Sequence, residues 1–430
     1  MTRAYLQAFC GAEWVEQRAS FVNGIGGIVN NPANLQRTVD FRETGLVRRL
    51  VKCRWSCALI AVLFAYGYCL DSQMTASRWV QLATAIALSM GFAFLLSGPK
   101  DSGDALDRAV NAVLEAGPVG AVVAFDTGKG GVDVRAFGRL ADMGAPERLR
   151  FRLASLTKPV VAAAVLELVA QDRVSLDARL SDVLPEFAIE DPRAVVITLR
   201  DLLRHSSGID ERAFSPLFMP VTELEAAFGL VASDMNDCAP LAAAILARPL
   251  EGPPQTAYRY SNTGYCLLGL LIGSMTGLPL DEALAELMPE AANLSFDLST
   301  LDVEGAVLPG QDVWLVRNPD VVAGAGGLIG SAADFLAFLA RPVAEDVMRK
   351  PDYALDETHF YGLGWRVWPG VDCPARTHFG SMPGAYSVAV VHEDGRRFVA
   401  LFEGRPEEDW GPFATLTSGI CSLWTGPFGP

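Results

Sequence analysis

The sequence predicts an α+β fold: one antiparallel sheet flanked by terminal helices, a mostly helical lobe beside it, and N-terminal membrane helices ahead of both. Three observations predict it. Apolar residues alternate about a Gly-rich turn over residues 120–137, and strand-like segments return at 361–368, 385–392 and 397–403. From Ser155 to about Leu339 the apolar residues recur mostly at helical spacing. Two runs with no charge at all, residues 55–70 and 79–97, precede everything else.

Taken in order, residues 1–54 form an N-terminal segment to which no role is assigned, and residues 1–45 of it show no helical or strand period of useful length. Residues 55–100 read as membrane-anchoring. A spanning helix needs about 20 apolar residues. The run at 79–97 is long enough; the run at 55–70 is marginal and would also suit a buried core helix. Arg48, Arg49, Lys52 and Arg54 crowd before the first run, which places that side in the cytoplasm. One effective crossing then puts residues 101–430 outside the cytoplasmic membrane, whereas a hairpin of two crossings returns them to the cytoplasm. Neither run ends in a cleavage signal, so retention in the membrane is expected.

Within residues 101–430, a helix is expected over 104–116, with Leu106, Val110, Val113 and Leu114 on one face. A hairpin follows at 120–125 and 132–137. Next comes Phe151-Arg152-Leu153-Ala154-Ser155-Leu156-Thr157-Lys158-Pro159, leading into an apolar helical face through Val160, Val161, Ala164, Val165, Leu168 and Val169. Positions i and i+3 share one helix face, so the Ser155 hydroxyl and the Lys158 amine are neighbours. Pro159 falls in the first turn, where its missing N–H does little harm. A serine at a helix N-terminus also has backbone N–H groups beside it, ready for an oxyanion. The spacing alone carries little: Ser97-Gly98-Pro99-Lys100 repeats it in a linker. On this segment alone, Ser155 as a helix cap and Lys158 as a surface charge is the plain alternative.

Two further landmarks stand downstream. Tyr258-Arg259-Tyr260-Ser261-Asn262-Thr263-Gly264-Tyr265 enters an apolar helix through Leu267, Leu268, Leu271 and Ile272. His378-Phe379-Gly380-Ser381-Met382-Pro383-Gly384 enters the alternating strand with Tyr386, Val388 and Val390. Phe413, Leu416, Ile420 and Leu423 then mark the face of a last helix. The order Ser-x-x-Lys, Tyr-x-Asn, His-x-Gly resembles the serine β-lactamase-like superfamily, in its class C-related branch with esterases, D-aminopeptidases and D-alanyl-D-alanine carboxypeptidases. The stretches 197–209, Ala325-Gly326-Gly327-Leu328 and Tyr361-Gly362-Leu363-Gly364-Trp365 are similar to the same branch, and the resemblance covers roughly residues 105–425. It implies a β-lactamase/transpeptidase-like fold with the site between sheet and helical lobe. Because this family mostly works outside the inner membrane, it also implies one effective crossing.

The chemistry asks for these residue types. A serine hydroxyl is a weak nucleophile and needs a base. Lysine is protonated in water, and burial disfavours its charged form, so a desolvated lysine can serve. Ser155 is therefore the expected nucleophile, and Lys158 the partner that deprotonates it or tunes its base. Tyr260 can relay a proton to the leaving group; how Lys158 and Tyr260 divide the work stays open. By the resemblance, Asn262 holds the lysine and a substrate carbonyl, its alternative being a turn or cap residue. Gly380 lets substrate backbone approach, and the resemblance implies that the N–H of Ser381 joins that of Ser155 as oxyanion donor. His378 would line the pocket from the sheet edge, where many β-lactamases carry a lysine that contacts a substrate carboxylate. That departure favours an esterase or peptidase with less demand for an anionic group. Thr377 stands where glycine is common, and Leu401-Phe402-Glu403-Gly404-Arg405 replaces a Leu-x-Asn-like segment.

Charge and cysteines add limits. Half of the 430 residues are hydrophobic. Residues 1–100 hold ten Lys/Arg against five Asp/Glu, so the remainder carries −20 of the net −15. An acidic domain argues against nucleic acid. No pair among His205, His359, His378 and His392 has metal-ligand spacing, so no metal or cofactor is expected. Cys266 reads as a buried thiol on an apolar helix. The expected function is a serine hydrolase cleaving an ester or amide of a small-molecule or peptide-like substrate through an acyl-enzyme. A penicillin-recognising D,D-peptidase or β-lactamase, or a catalytically weak ligand sensor, are its alternatives.

Overall fold

Successive residues of a strand point to opposite faces of a sheet, and here both faces are covered. In this computed structural model the described residues are 102–127, 130–187, 189–209, 221–309, 318–343, 345–352, 359–369 and 373–425. They belong to the second of two units, Met1–Gly98 and Pro99–Pro430. The segment 1–54 and the expected membrane runs at 55–70 and 79–97 lie outside the described residues. Among the described residues no single helix is long and apolar enough to cross a membrane.

One antiparallel sheet of seven strands has the order β2-β1-β9-β8-β7-β6-β5. The strands are β1 (Gly120–Asp126), β2 (Val132–Gly138), β5 (Phe360–Tyr361), β6 (Arg366–Trp368), β7 (Ala375–Met382), β8 (Ala385–His392) and β9 (Arg397–Glu403). Strands from both ends of the domain meet at β1 and β9, with Ala121 opposite Phe402 and Val123 opposite Ala400. The odd residues of β1 and the even residues of β9 face α1 (Ser102–Leu114) and α5 (Trp410–Thr425), the terminal helices. Leu106, Val110 and Val113 pack there against Phe413, Leu416 and Ile420, all fully or almost fully buried. Each such side chain contributes about 1.5–3 kcal/mol of burial. Val122, Ala124, Val399 and Leu401 point the other way, into the core shared with the helical lobe.

Three helices of that lobe position the site: α2 (Thr157–Ala170), α3 (Leu199–Leu203) and α4 (Asn262–Thr276). Short polar residues start two of them. Thr198 and Asp201 form a capping box on α3, and the Ser261 hydroxyl accepts from the Gly264 N–H at the start of α4. A two-stranded sheet pairs β3 (Arg150–Arg152), just ahead of the region read as mostly helical, with β4 (Ile329–Ser331) inside it. Three residues are too few for a period to register.

Two disulfides correct the reading of Cys266 as a thiol. Cys266 on α4 is bonded to Cys238, which caps the helix Ala239–Leu246, and Cys373 ahead of β7 is bonded to Cys421 on α5. The partners are 28 and 48 residues apart, so only the packing of the two elements reveals each pair.

Candidate active site

Ser155 sits in a short 3-10 turn, Ala154–Leu156, that runs directly into α2. Ala154 before it adopts a left-handed backbone with φ 49°, a strained conformation for a residue with a side chain. The surroundings hold the turn in place. The Leu153 N–H donates to the Leu328 carbonyl (2.8 Å), and the Ser387 hydroxyl of β8 donates to the Leu153 carbonyl (2.7 Å).

Lys158, one turn further on, is fully buried. Its Nζ lies 3.1 Å from Ser155 Oγ and 2.8 Å from Asn262 Oδ1, and it also donates to the Ala325 carbonyl. Asn262 is the first residue of α4, so the helix that Ser261 caps delivers it to the amine. Tyr260 arrives from the same segment, and its hydroxyl donates to Ser155 Oγ at 2.8 Å. The Lys158 Nζ lies 4.8 Å from the centre of the Tyr260 ring. An alcohol, an amine and a phenol thus share one hydrogen-bonded cluster drawn from residues 155–262 of the chain. The two carbonyl acceptors can only accept, so they orient the amine. A neutral Lys158 would spend its two hydrogens on them and leave its lone pair for Oγ.

On the sheet side, β6 pairs only with Ala375, Arg376 and Thr377, which leaves β7 without a β6 partner from His378 onward. Gly380 lies in this stretch and presses against the serine turn. A methyl group on Gly380 would meet Ser387 Oγ at 2.5 Å, the Ser155 nitrogen at 2.6 Å and the Leu153 carbonyl oxygen at 2.7 Å. The backbone of β7 is therefore in contact with that of Ser155, and the Ser381 N–H follows one residue later. Ser155, Asn262, Ala325 and Ser381 line one small cleft. The Gly380→Ala chain should keep its fold but react at Ser155 at least about 100-fold more slowly, because displacement of the nucleophile by about an ångström has that effect. Rates of labelling by a fluorophosphonate, compared beside melting curves, check this; near-native labelling would remove the role given to the close approach.

His378 departs from its expected place. It is 2 % exposed and does not open on the cleft. Its Nδ1–H donates to the Phe379 carbonyl (2.8 Å), which leaves Nε2 to accept from the Tyr361 hydroxyl (2.9 Å). Burial first, then the charges of Lys158 and Arg366, push its pKa well below the ordinary histidine value. The ring is neutral and structural here, because burial disfavours its charged form. His205 is likewise buried and held low, by burial and then by Lys158. Below about pH 6.5 the unfolded chain takes up protons at these two positions that the native chain refuses. Their contribution to stability is therefore complete above that pH and falls as pH drops, by up to about 1.4 kcal/mol per unit for each. Melting temperature should decline from pH 7 to 5, and less steeply in His378→Gln; a flat native profile would contradict the assignment.

Residues given no catalytic part in the sequence complete the cluster: His205, the Ala325 carbonyl, Ser387 and Tyr361. Three of them lie inside landmark stretches, 197–209, 325–328 and 361–365, yet a backbone acceptor and a ring contact leave no spacing to read.

Comparison with known proteins agrees with this architecture. A putative fimbrial assembly protein FimD (serogroup D) of Dichelobacter nodosus is 30% identical over 209 residues, 44% of this chain and 48% of that protein. Esterase EstB of Burkholderia gladioli is 33% identical over 157 residues, 35% of this chain and 40% of the esterase. The chain thus spans about half or less of the length of these curated relatives. The crystal structure of D-amino acid amidase from Ochrobactrum anthropi SV3 superposes with a TM-score of 0.58 at 20% identity, over 75% of this chain and 99% of that one, which shows the fold. The sequence model of the Beta-lactamase family matches residues 106–410, well over half of the sequence, and the chain belongs to that family.

Proposed function

We propose that the chain is a serine hydrolase that cleaves an ester or amide through an acyl-enzyme on Ser155. One observation carries the reading: Ser155 Oγ lies 3.1 Å from Lys158 Nζ and 2.8 Å from the Tyr260 hydroxyl. Oγ attacks the acyl carbon and gives its proton to the neutral Lys158 amine. The carbonyl oxygen becomes an oxyanion held by the N–H groups of Ser155 and Ser381. Tyr260 gives a proton to the leaving group as the bond breaks and recovers one from Lys158. Water then repeats the sequence in place of the leaving group.

Several features favour an esterase or D-amino-acid amidase type of substrate. A neutral, buried His378 offers no cation for a substrate carboxylate. The relatives include a protein named an esterase and a neighbour in fold named a D-amino acid amidase. We further propose that residues 55–97 anchor the chain in the cytoplasmic membrane with the hydrolase domain outside. Two disulfides support that side, since such bonds persist in oxidising compartments.

Intact-mass spectrometry after separate challenge with a fluorophosphonate and with benzylpenicillin tests the reading. The expected result is one phosphonyl adduct, mapped to Ser155, and no penicilloyl adduct. Adducts from both reagents would move the assignment to a penicillin-recognising enzyme. Failure of both would overturn the hydrolase.

A further inference from the structure

We infer that His205 is a positioning residue for Tyr260, holding the phenol on Ser155 through the peptide groups on either side of it; this rests on the hydrolase reading above. The Arg259 N–H donates to the His205 carbonyl at 2.7 Å, and the Ser261 N–H donates to His205 Nδ1 at 2.9 Å. The residues immediately before and after Tyr260 are thus both bonded to one histidine. The imidazole also lies against the Tyr260 ring, with centroids 4.4 Å apart. Tyr265 and Tyr361 close around the same imidazole at 5.1 and 4.6 Å.

The tautomer follows from these bonds. Nδ1 accepts from a backbone N–H, so the proton is on Nε2, which is buried without a polar partner. A protonated ring would lose the Ser261 bond. The backbone bears on this as well. His205 has φ 57°, the left-handed region that few residues other than glycine adopt, Asn, Asp and His most readily among them. That turn aims carbonyl and Nδ1 at the same extended segment. Residue 205 therefore needs a left-handed backbone and a side-chain acceptor two bonds from Cβ. Asparagine meets both needs, and glycine meets only the first.

The test reads the proton that Tyr260 supplies to the leaving group. Two phosphonate diesters with the same phosphonyl group are compared, one releasing p-nitrophenoxide, a stable anion at neutral pH, the other phenoxide. Ser155 labelling is followed by intact mass in the native chain, His205→Gly, His205→Asn, Tyr260→Phe and the double variant His205→Gly/Tyr260→Phe. In His205→Gly the p-nitrophenyl rate should stay within about threefold of native, while the phenyl rate falls at least about tenfold. His205→Asn should restore the native ratio, and adding His205→Gly to Tyr260→Phe should change the phenyl rate by less than about threefold, as coupled residues do. A glycine variant that slows both probes equally, or whose effect is undiminished in the Tyr260→Phe background, would overturn the inference. If His205→Gly does not fold, His205→Ala, which also lacks the acceptor, takes its place with the same expected and overturning results. A native chain that takes no label at Ser155 defeats the hydrolase reading itself, a different result from either.

Discussion

Ser155→Ala is expected to lose at least about 10⁴-fold in ester hydrolysis and all phosphonyl labelling, with melting temperature within a few degrees of native. The size follows from the absence of a second nucleophile in the hydrogen-bonded cluster. Lys158 is fully buried and already bonded to Asn262 and the Ala325 carbonyl, and the remaining group on Oγ is a phenol. Removing the nucleophile of such a set costs about as much as removing the whole set. The fold should survive because the turn is held by backbone, through Leu153 to Leu328 and to Ser387, and not by the Ser155 side chain. The hydroxyl contributes two hydrogen bonds worth about 1 kcal/mol each. Activity of the alanine chain equal to native would place the nucleophile elsewhere.

How far the sequence reached depends on what each feature needs in order to be seen. The terminal helix faces were legible because burial on one face imposes a period, as Leu106, Val110 and Val113 show against Phe413, Leu416 and Ile420. Ser155 and Lys158 were legible because their spacing is local. Tyr260, Asn262 and Gly380 could be placed beside them only through the resemblance, since 105 residues separate Ser155 from Tyr260 and no local pattern spans that gap. The orientation of His378 was not legible. Its ring is turned by Tyr361, 17 residues away on another strand, and by its own neighbour's carbonyl. The disulfides, the two short strands and the carbonyl that orients Lys158 share that limit: each exists only once distant backbone segments have packed.

Lys158→Met should lower the rate of fluorophosphonate labelling at least about 1,000-fold while leaving the domain folded. Methionine keeps the unbranched length and the packing, so the loss isolates the amine. Stability is the result of two opposing changes. The Asn262 and Ala325 oxygens lose a donor, costing about 1–3 kcal/mol each where buried, and the penalty of burying an amine disappears. The kinetic consequence has no such offset, because the serine proton then has only the phenol to go to. Tyr260→Phe separates the two roles. Fluoride departs without a proton, so a chain lacking the Tyr260 hydroxyl should label at near-native rate with a fluorophosphonate and fail on amides or alkyl esters. If Lys158 takes the serine proton and Tyr260 serves the leaving group, the methionine chain fails with every reagent and the phenylalanine chain only with poor leaving groups. The reverse pattern, with rapid labelling in Lys158→Met and none in Tyr260→Phe, would make the phenol the base and the lysine its neighbouring charge. The 4.8 Å approach of Nζ to the Tyr260 ring provides the geometry for that exchange of roles, and the leaving-group series separates the two.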